Sequence, residues 1–60
     1  MSERRRAQRR LRLLHLLEAA RLKLAATRPE SYATDRAFRA VQTRRERIVK
    51  QLERLLQEGE

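Results

Sequence analysis

Residues 26–31 read ATRPES, and Pro29, the one proline of the chain, stands inside this stretch. Proline lacks a backbone N–H and pushes the residue before it out of α geometry. No helix is therefore expected to run straight through Arg28–Pro29. On both sides of this break the chain is written in helix formers. Ala, Leu, Arg, Glu and Gln dominate, and aromatic or β-branched residues never alternate as a strand requires. One interruption in otherwise helical sequence predicts two helices. The first is expected over about residues 3–26 and the turn over about 27–30, or as far as 34. The second helix should run to about 58, with Gly59 marking its end. Two starts for the second helix compete. Pro29 suits a first helical position. Thr34 is the better capping residue and would leave the segment between as loop. The earlier start is preferred because PESYATDRAF, residues 29–38, has no breaker after its proline. A short connection makes the helices antiparallel neighbours, so the expected fold is all-α: one domain, a two-helix antiparallel hairpin.

Such a hairpin is too small to stand comfortably alone. Sixty residues bury a modest share of their surface, and small domains usually lean on disulfides, metals or oligomerisation. The chain has no Cys, which removes disulfides and thiolate metal sites. Its single histidine, His15, has Ala19 rather than a second ligand at i+4, so no metal and no cofactor are expected. Association is the remaining source of stability.

The apolar pattern points the same way. In helix two, Phe38, Val41, Ile48, Val49, Leu52, Leu55 and Leu56 form a single stripe. Read as a heptad, this stripe is interrupted by Arg45. That residue is expected at a partly open layer, snorkelling outward or pairing with an acid on a neighbouring helix. Helix one carries two stripes. Leu13, Leu16, Leu17, Ala20 and Leu24 make the first, and Leu11, Leu14, Leu22 and Ala25 make the second on an adjoining face. One partner helix cannot cover both, and exposed apolar patches mark interfaces. The expected closure is a two-fold homodimer forming a four-helix bundle, or the docking of helix one on a larger protein. Leu11, Leu13, Leu14, Leu16, Leu17, Leu22 and Leu24, with Phe38, Val41, Ile48, Leu52 and Leu55, are the interface candidates.

Charge supplies the other theme. The chain carries a net +8, and 14 of its 16 basic residues are Arg. Arginine offers a planar fork that matches phosphate and carboxylate, although an Arg-favouring codon bias would produce the same excess. The asymmetry along the chain is more telling. Residues 1–28 hold nine basic and two acidic groups, and residues 29–60 hold seven and six. Arg4, Arg5, Arg6, Arg9, Arg10 and Arg12 point nearly all round the start of helix one, where the helix dipole disfavours positive charge. They are candidates for neutralising nucleic-acid phosphates. The competing view pairs this end with Glu53, Glu58 and Glu60 of an antiparallel helix two. A second basic stripe, Arg36, Arg39, Arg47, Lys50 and Arg54 with Thr43, holds one outer face of helix two. It could track a phosphate backbone. It could equally be a solvated face supported by Asp35–Arg39 and Glu46–Lys50 pairs. Tyr32 is the one aromatic expected near it, so base stacking is a weak theme.

Several classes fall away. No base is arranged around the serines and threonines, Asp35 is the only Asp, and no catalytic constellation appears, so the chain is not read as an enzyme. Arg12, Glu18, Arg21 and Lys23 interrupt the leucines, which excludes a transmembrane span and a secretory signal. The Arg-rich start resembles a mitochondrial presequence, but its removal would leave one helix with nothing to pack on. Leucine on two faces fits a protein bundle better than a flat membrane surface. The stretch ERRRAQRRLRLLHLL, residues 3–17, resembles the basic region of helix-loop-helix factors, with Ala7 where that family's last Arg belongs. TRRERIVKQLERLL, residues 43–56, resembles the second helix of a hairpin-shaped ribosomal protein, with Arg47 in place of an aliphatic residue. The architecture, not the residues, is similar to that of Rop-like RNA-binding hairpin dimers. The expectation is a cytoplasmic, dimeric helical hairpin that binds RNA or DNA phosphates through helix one. The alternative is a protein-interaction module whose leucine-rich helix one docks on a larger protein.

Overall fold

In the computed structural model, which describes residues 3–58, the helix formers build α1 over Glu3–Ala25 and α2 over Asp35–Glu58. The two pack against each other as an antiparallel hairpin, and the described residues contain no strand. Gly59 and Glu60 lie outside the described residues. Between the helices, residues 26–34 form the connection, which reaches the farther of the two expected bounds, 34, rather than 30. It holds one 3-10 turn at Pro29–Ser31.

Helix two does not take the early start. Arg28 is extended at φ −123 and ψ 141, as a residue before proline prefers. The 3-10 turn that follows closes with Tyr32 N–H donating to the Pro29 carbonyl at 3.1 Å, and Tyr32 is again extended. The α2 helix begins only where Thr34 caps it. The Thr34 Oγ1 accepts from the Ala37 N–H at 3.1 Å, and its carbonyl accepts from Phe38 N–H at 3.1 Å. Arg28, before Pro29, makes no side-chain cap hydrogen bond, whereas Thr34 makes one, so the better cap prevails over the absence of a breaker. Thr34→Ala is expected to cost about 1 kcal/mol. A thermal melt followed by circular dichroism should record a midpoint lower by roughly 4–8 °C.

The other end of the connection explains Arg45. Helix one ends with no glycine and no positive-φ residue among those described. The Leu22 and Leu24 carbonyls accept from the Ala26 and Thr27 N–H groups, and the Lys23 carbonyl is satisfied from the side. Thr27 Oγ1 donates to the Lys23 carbonyl at 2.8 Å. Arg45 Nη1 reaches across from helix two to the same carbonyl at 3.0 Å and to Thr27 Oγ1 at 2.6 Å. The guanidinium thus sits at the negative end of the α1 dipole. Arg45 stands at the partly open layer expected of it, but its partners among the described residues are a carbonyl and a hydroxyl rather than an acid. It is half-buried as a cap for the neighbouring helix. Arg45→Met keeps the apolar stem and removes the charged donor. The expected loss is about 1–2 kcal/mol, the usual range for a partly exposed charged hydrogen bond. Thr27→Val should cost less when added to Arg45→Met than alone, since both belong to one network.

The hairpin is staggered. Arg21 pairs with Glu53 at 3.4 Å, and Lys23 is bound by Arg45. Moving in opposite directions along the helices from these contacts brings Glu58 level with a point between Arg10 and Leu16. The first turns of helix one therefore run past the last described residue of helix two. At the other end, helix two overhangs Ala25 by about two to four turns, and the connection covers part of that overhang. Tyr32 and Phe38 meet there with ring centroids 6.0 Å apart and planes at 55°. The stagger accounts for a long axis of 48 Å, against about 35 Å for either helix at 1.5 Å per residue.

Stagger leaves little shared core. Leu17 at 5% and Val49 at 9% exposure are the buried hydrophobic residues among those described. Leu13, Ala20, Leu24, Leu52, Leu55 and Leu56 are half-buried around them. Phe38 and Val41 are half-buried as well, but Phe38 meets the Tyr32 ring of the connection rather than lining the α1–α2 overlap.

Candidate nucleic-acid interface

Two basic surfaces come out of this geometry. The first is the start of helix one, where Arg4, Arg5, Arg6, Arg9, Arg10 and Arg12 are all exposed. The expected neutralisation by Glu53 does not occur, because that carboxylate is engaged three turns away by Arg21. Glu60, offered as another partner, lies outside the described residues. Arg5, Gln8, Arg9 and Arg12 together frame an open depression of about 490 Å³. The stagger is the physical reason this segment keeps its own surface: no acid-bearing turn of helix two within the described residues lies alongside its first turns.

The second surface is the outer face of helix two. Arg36, Arg39, Arg47, Lys50 and Arg54 are exposed and lie on the side turned away from the packed stripe. From Arg36 to Arg54 the face extends about 27 Å. Among the described residues, neither Asp35–Arg39 nor Glu46–Lys50 closes as an ion pair. Exposed pairs of that kind gain little over hydration. Arg36, Arg39, Thr43, Arg44 and Arg47 instead border a shallow depression of about 550 Å³. Arg44 was not among the sequence candidates. Its spacing of three from Arg47 was the signal that could have added it.

Tyr32 is half-buried against Phe38 and belongs to the packing of the connection rather than to either basic surface. His15 is exposed, and no group of three or more potential metal ligands occurs among the described residues. No helix among the described residues is long and apolar enough to cross a membrane.

Apolar surface divides in the same clear way. On the back of helix one, Leu11, Leu14 and Leu22 are 57%, 43% and 66% exposed. On one side of the hairpin, Leu16 and Ile48 are also exposed. With Ala19, Ala20 and Leu52 they line a groove of about 310 Å³ that Lys23 and Arg45 border. The first apolar stripe of helix one is thus drawn inward except at Leu16, which borders the groove, and Leu11, Leu14 and Leu22 of the second stripe stay exposed. Leu13, Leu17, Leu24, Leu52 and Leu55 are brought toward the centre, while Leu11, Leu14, Leu16, Leu22 and Ile48 are not.

The chain matches no family model, no curated protein and no solved structure. The functional reading rests on these surfaces.

Proposed function

We propose that this chain is a small, non-catalytic, cytoplasmic protein that binds RNA or DNA through the phosphate backbone, as a dimer, with the arginine-rich start of helix one as its main contact. One observation carries the reading: Arg4, Arg6 and Arg9 are exposed on turns of helix one that run past Glu58, the last described acid of helix two, and Arg5, Arg10 and Arg12 are exposed on the same segment. Residues 3–12 span about 15 Å of helix. Duplex DNA presents one phosphate charge per about 1.7 Å, so a segment of that length meets about nine of them. The phosphates facing such a segment thus outnumber its arginines. The outer face of helix two adds a second strip of the same sign. Neither surface includes an exposed aromatic residue, so binding would follow backbone charge and shape more than base identity.

The test is a titration of labelled duplex RNA and duplex DNA at several salt concentrations. Affinity should fall by about three orders of magnitude or more between 50 and 200 mM salt if six phosphates are neutralised. Absence of binding at about 50 mM salt, or binding indifferent to salt, would remove the proposal.

A second reading draws on the exposed leucines: helix one would dock on a larger protein. The solution mass separates the two. A chain that remains monomeric and keeps its leucine faces open favours docking.

A further inference from the structure

We infer that the Leu11–Leu14–Leu22 face of helix one is covered by helix one of a second copy, running antiparallel across a two-fold axis. This deepens the dimer in the function proposed above, and its test uses no nucleic acid, so either can fail alone.

Area is the first argument. The hairpin exposes 5593 Å². A folded monomer of 7.2 kDa is expected to expose about 4,100 Å² from the scaling of surface with mass. The excess exceeds the roughly 800 Å² that each partner contributes to a standard interface. The back of helix one is a suitable place to bury it. Ala7, Leu11, Leu14, Glu18, Leu22 and Ala25 follow one another at spacings of 4, 3, 4, 4 and 3. Such spacing keeps them on one face of a helix, about 120° or more from the Leu16 side.

Charge chooses the occupant and its direction. A parallel pair would set two arginine-rich segments side by side at a helix separation of about 8–10 Å. An antiparallel pair with Leu11 opposite Leu22 moves the centres of those segments about 25 Å apart along the axis. That is about three Debye lengths at physiological salt, so their repulsion is screened. The same alignment sets Glu18 against His15 of the partner subunit, with the contact repeated by the two-fold. The His15 and Glu18 side chains are exposed and form no hydrogen bond or ion pair among the described residues. An alignment centred on Glu18 would instead face two carboxylates across the axis. The Leu16–Ile48 groove offers no such match, since its lining contains Lys23 and Arg45 and no acid.

Sedimentation equilibrium of the full chain should give twice 7.2 kDa. Leu22→Glu buries an unpaired charge in the proposed interface and should raise the dissociation constant by about two orders of magnitude or more. Leu16→Glu, in the groove, should leave the dimer intact. Orientation is read by cross-linking, which a chain without cysteine makes clean. Mixed Leu11→Cys and Leu22→Cys chains should oxidise mainly to the mixed disulfide, whether or not Leu22→Glu folds well. A monomeric parent chain, a dimer lost with Leu16→Glu but not with Leu22→Glu, or a preference for the two homodisulfides would each overturn the proposal.

Discussion

A chain carrying Leu17→Ala is expected to lose its cooperative thermal transition. Leu17 is 5% exposed and shares the small interior with Val49. Removing a buried leucine side chain costs about 2–5 kcal/mol, because the lost transfer energy and the cavity add. A domain below about 70–80 residues rarely has more than about 3–5 kcal/mol to lose. The substitution therefore removes most or all of the folding free energy. Leu22→Ala changes the same residue type by the same atoms, but on a face that the hairpin leaves open. At protein concentrations too low for association it should shift the midpoint little. Circular dichroism melts of the two variants, run side by side, check the contrast. A Leu17→Ala chain that melts like the parent would mean that the α1–α2 overlap is not what holds the hairpin.

The second large effect concerns the arginines. Replacing Arg4, Arg6, Arg9 and Arg12 with Gln lowers the net charge from +8 by four. Replacing Arg36, Arg39, Arg47 and Lys50 with Gln lowers it by the same amount. If the start of helix one is the main phosphate contact, the first variant should lose about 3 to 4 units of slope in log affinity against log salt. The second variant, matched in net charge, should lose distinctly less. Fluorescence anisotropy on one duplex across a salt series measures both slopes. Equal losses would mean that binding follows overall charge and has no principal surface. Neither set touches Arg45, which caps helix one, or Arg21, which pairs with Glu53, so a change in binding is not a disguised change in fold.

Much of the architecture was legible in local chemistry. Pro29 divides the chain because a missing N–H and a steric clash act on adjacent residues whatever lies further away. The single apolar stripe of helix two and the two stripes of helix one follow from 100° per residue. Boundaries were less secure. Both Pro29 and Thr34 are acceptable starts for a helix: the absence of a later breaker favours the first, and the supply of a cap favours the second. In the structure, the Thr34 hydroxyl satisfies the Ala37 N–H, and the segment before it curls into a 3-10 turn.

The candidate surfaces were legible as lists of residues but not as places. Arg4, Arg5, Arg6, Arg9, Arg10 and Arg12 were identifiable as a cluster from their density alone. Whether helix two's acids would lie beside them depended on the register of the hairpin, and no local rule sets that. Arg45 shows the same limit from the other side. A charged residue on an apolar stripe announces a special position, yet its partners, the Lys23 carbonyl and the Thr27 hydroxyl, lie 22 and 18 residues away.

The sequence by itself determined two helices, the break between them, the face each would bury and the surplus of leucine on helix one. These follow from short-range sterics and periodicity. Only the tertiary structure decided the stagger. With a nine-residue connection and the Arg45 and Arg21 contacts, helix two is displaced along helix one. That displacement leaves the arginines beyond the packed overlap and leaves Leu11, Leu14 and Leu22 facing outward. The reason is physical: helix formation is governed by neighbours three and four residues away, whereas register is a balance of contacts between distant segments.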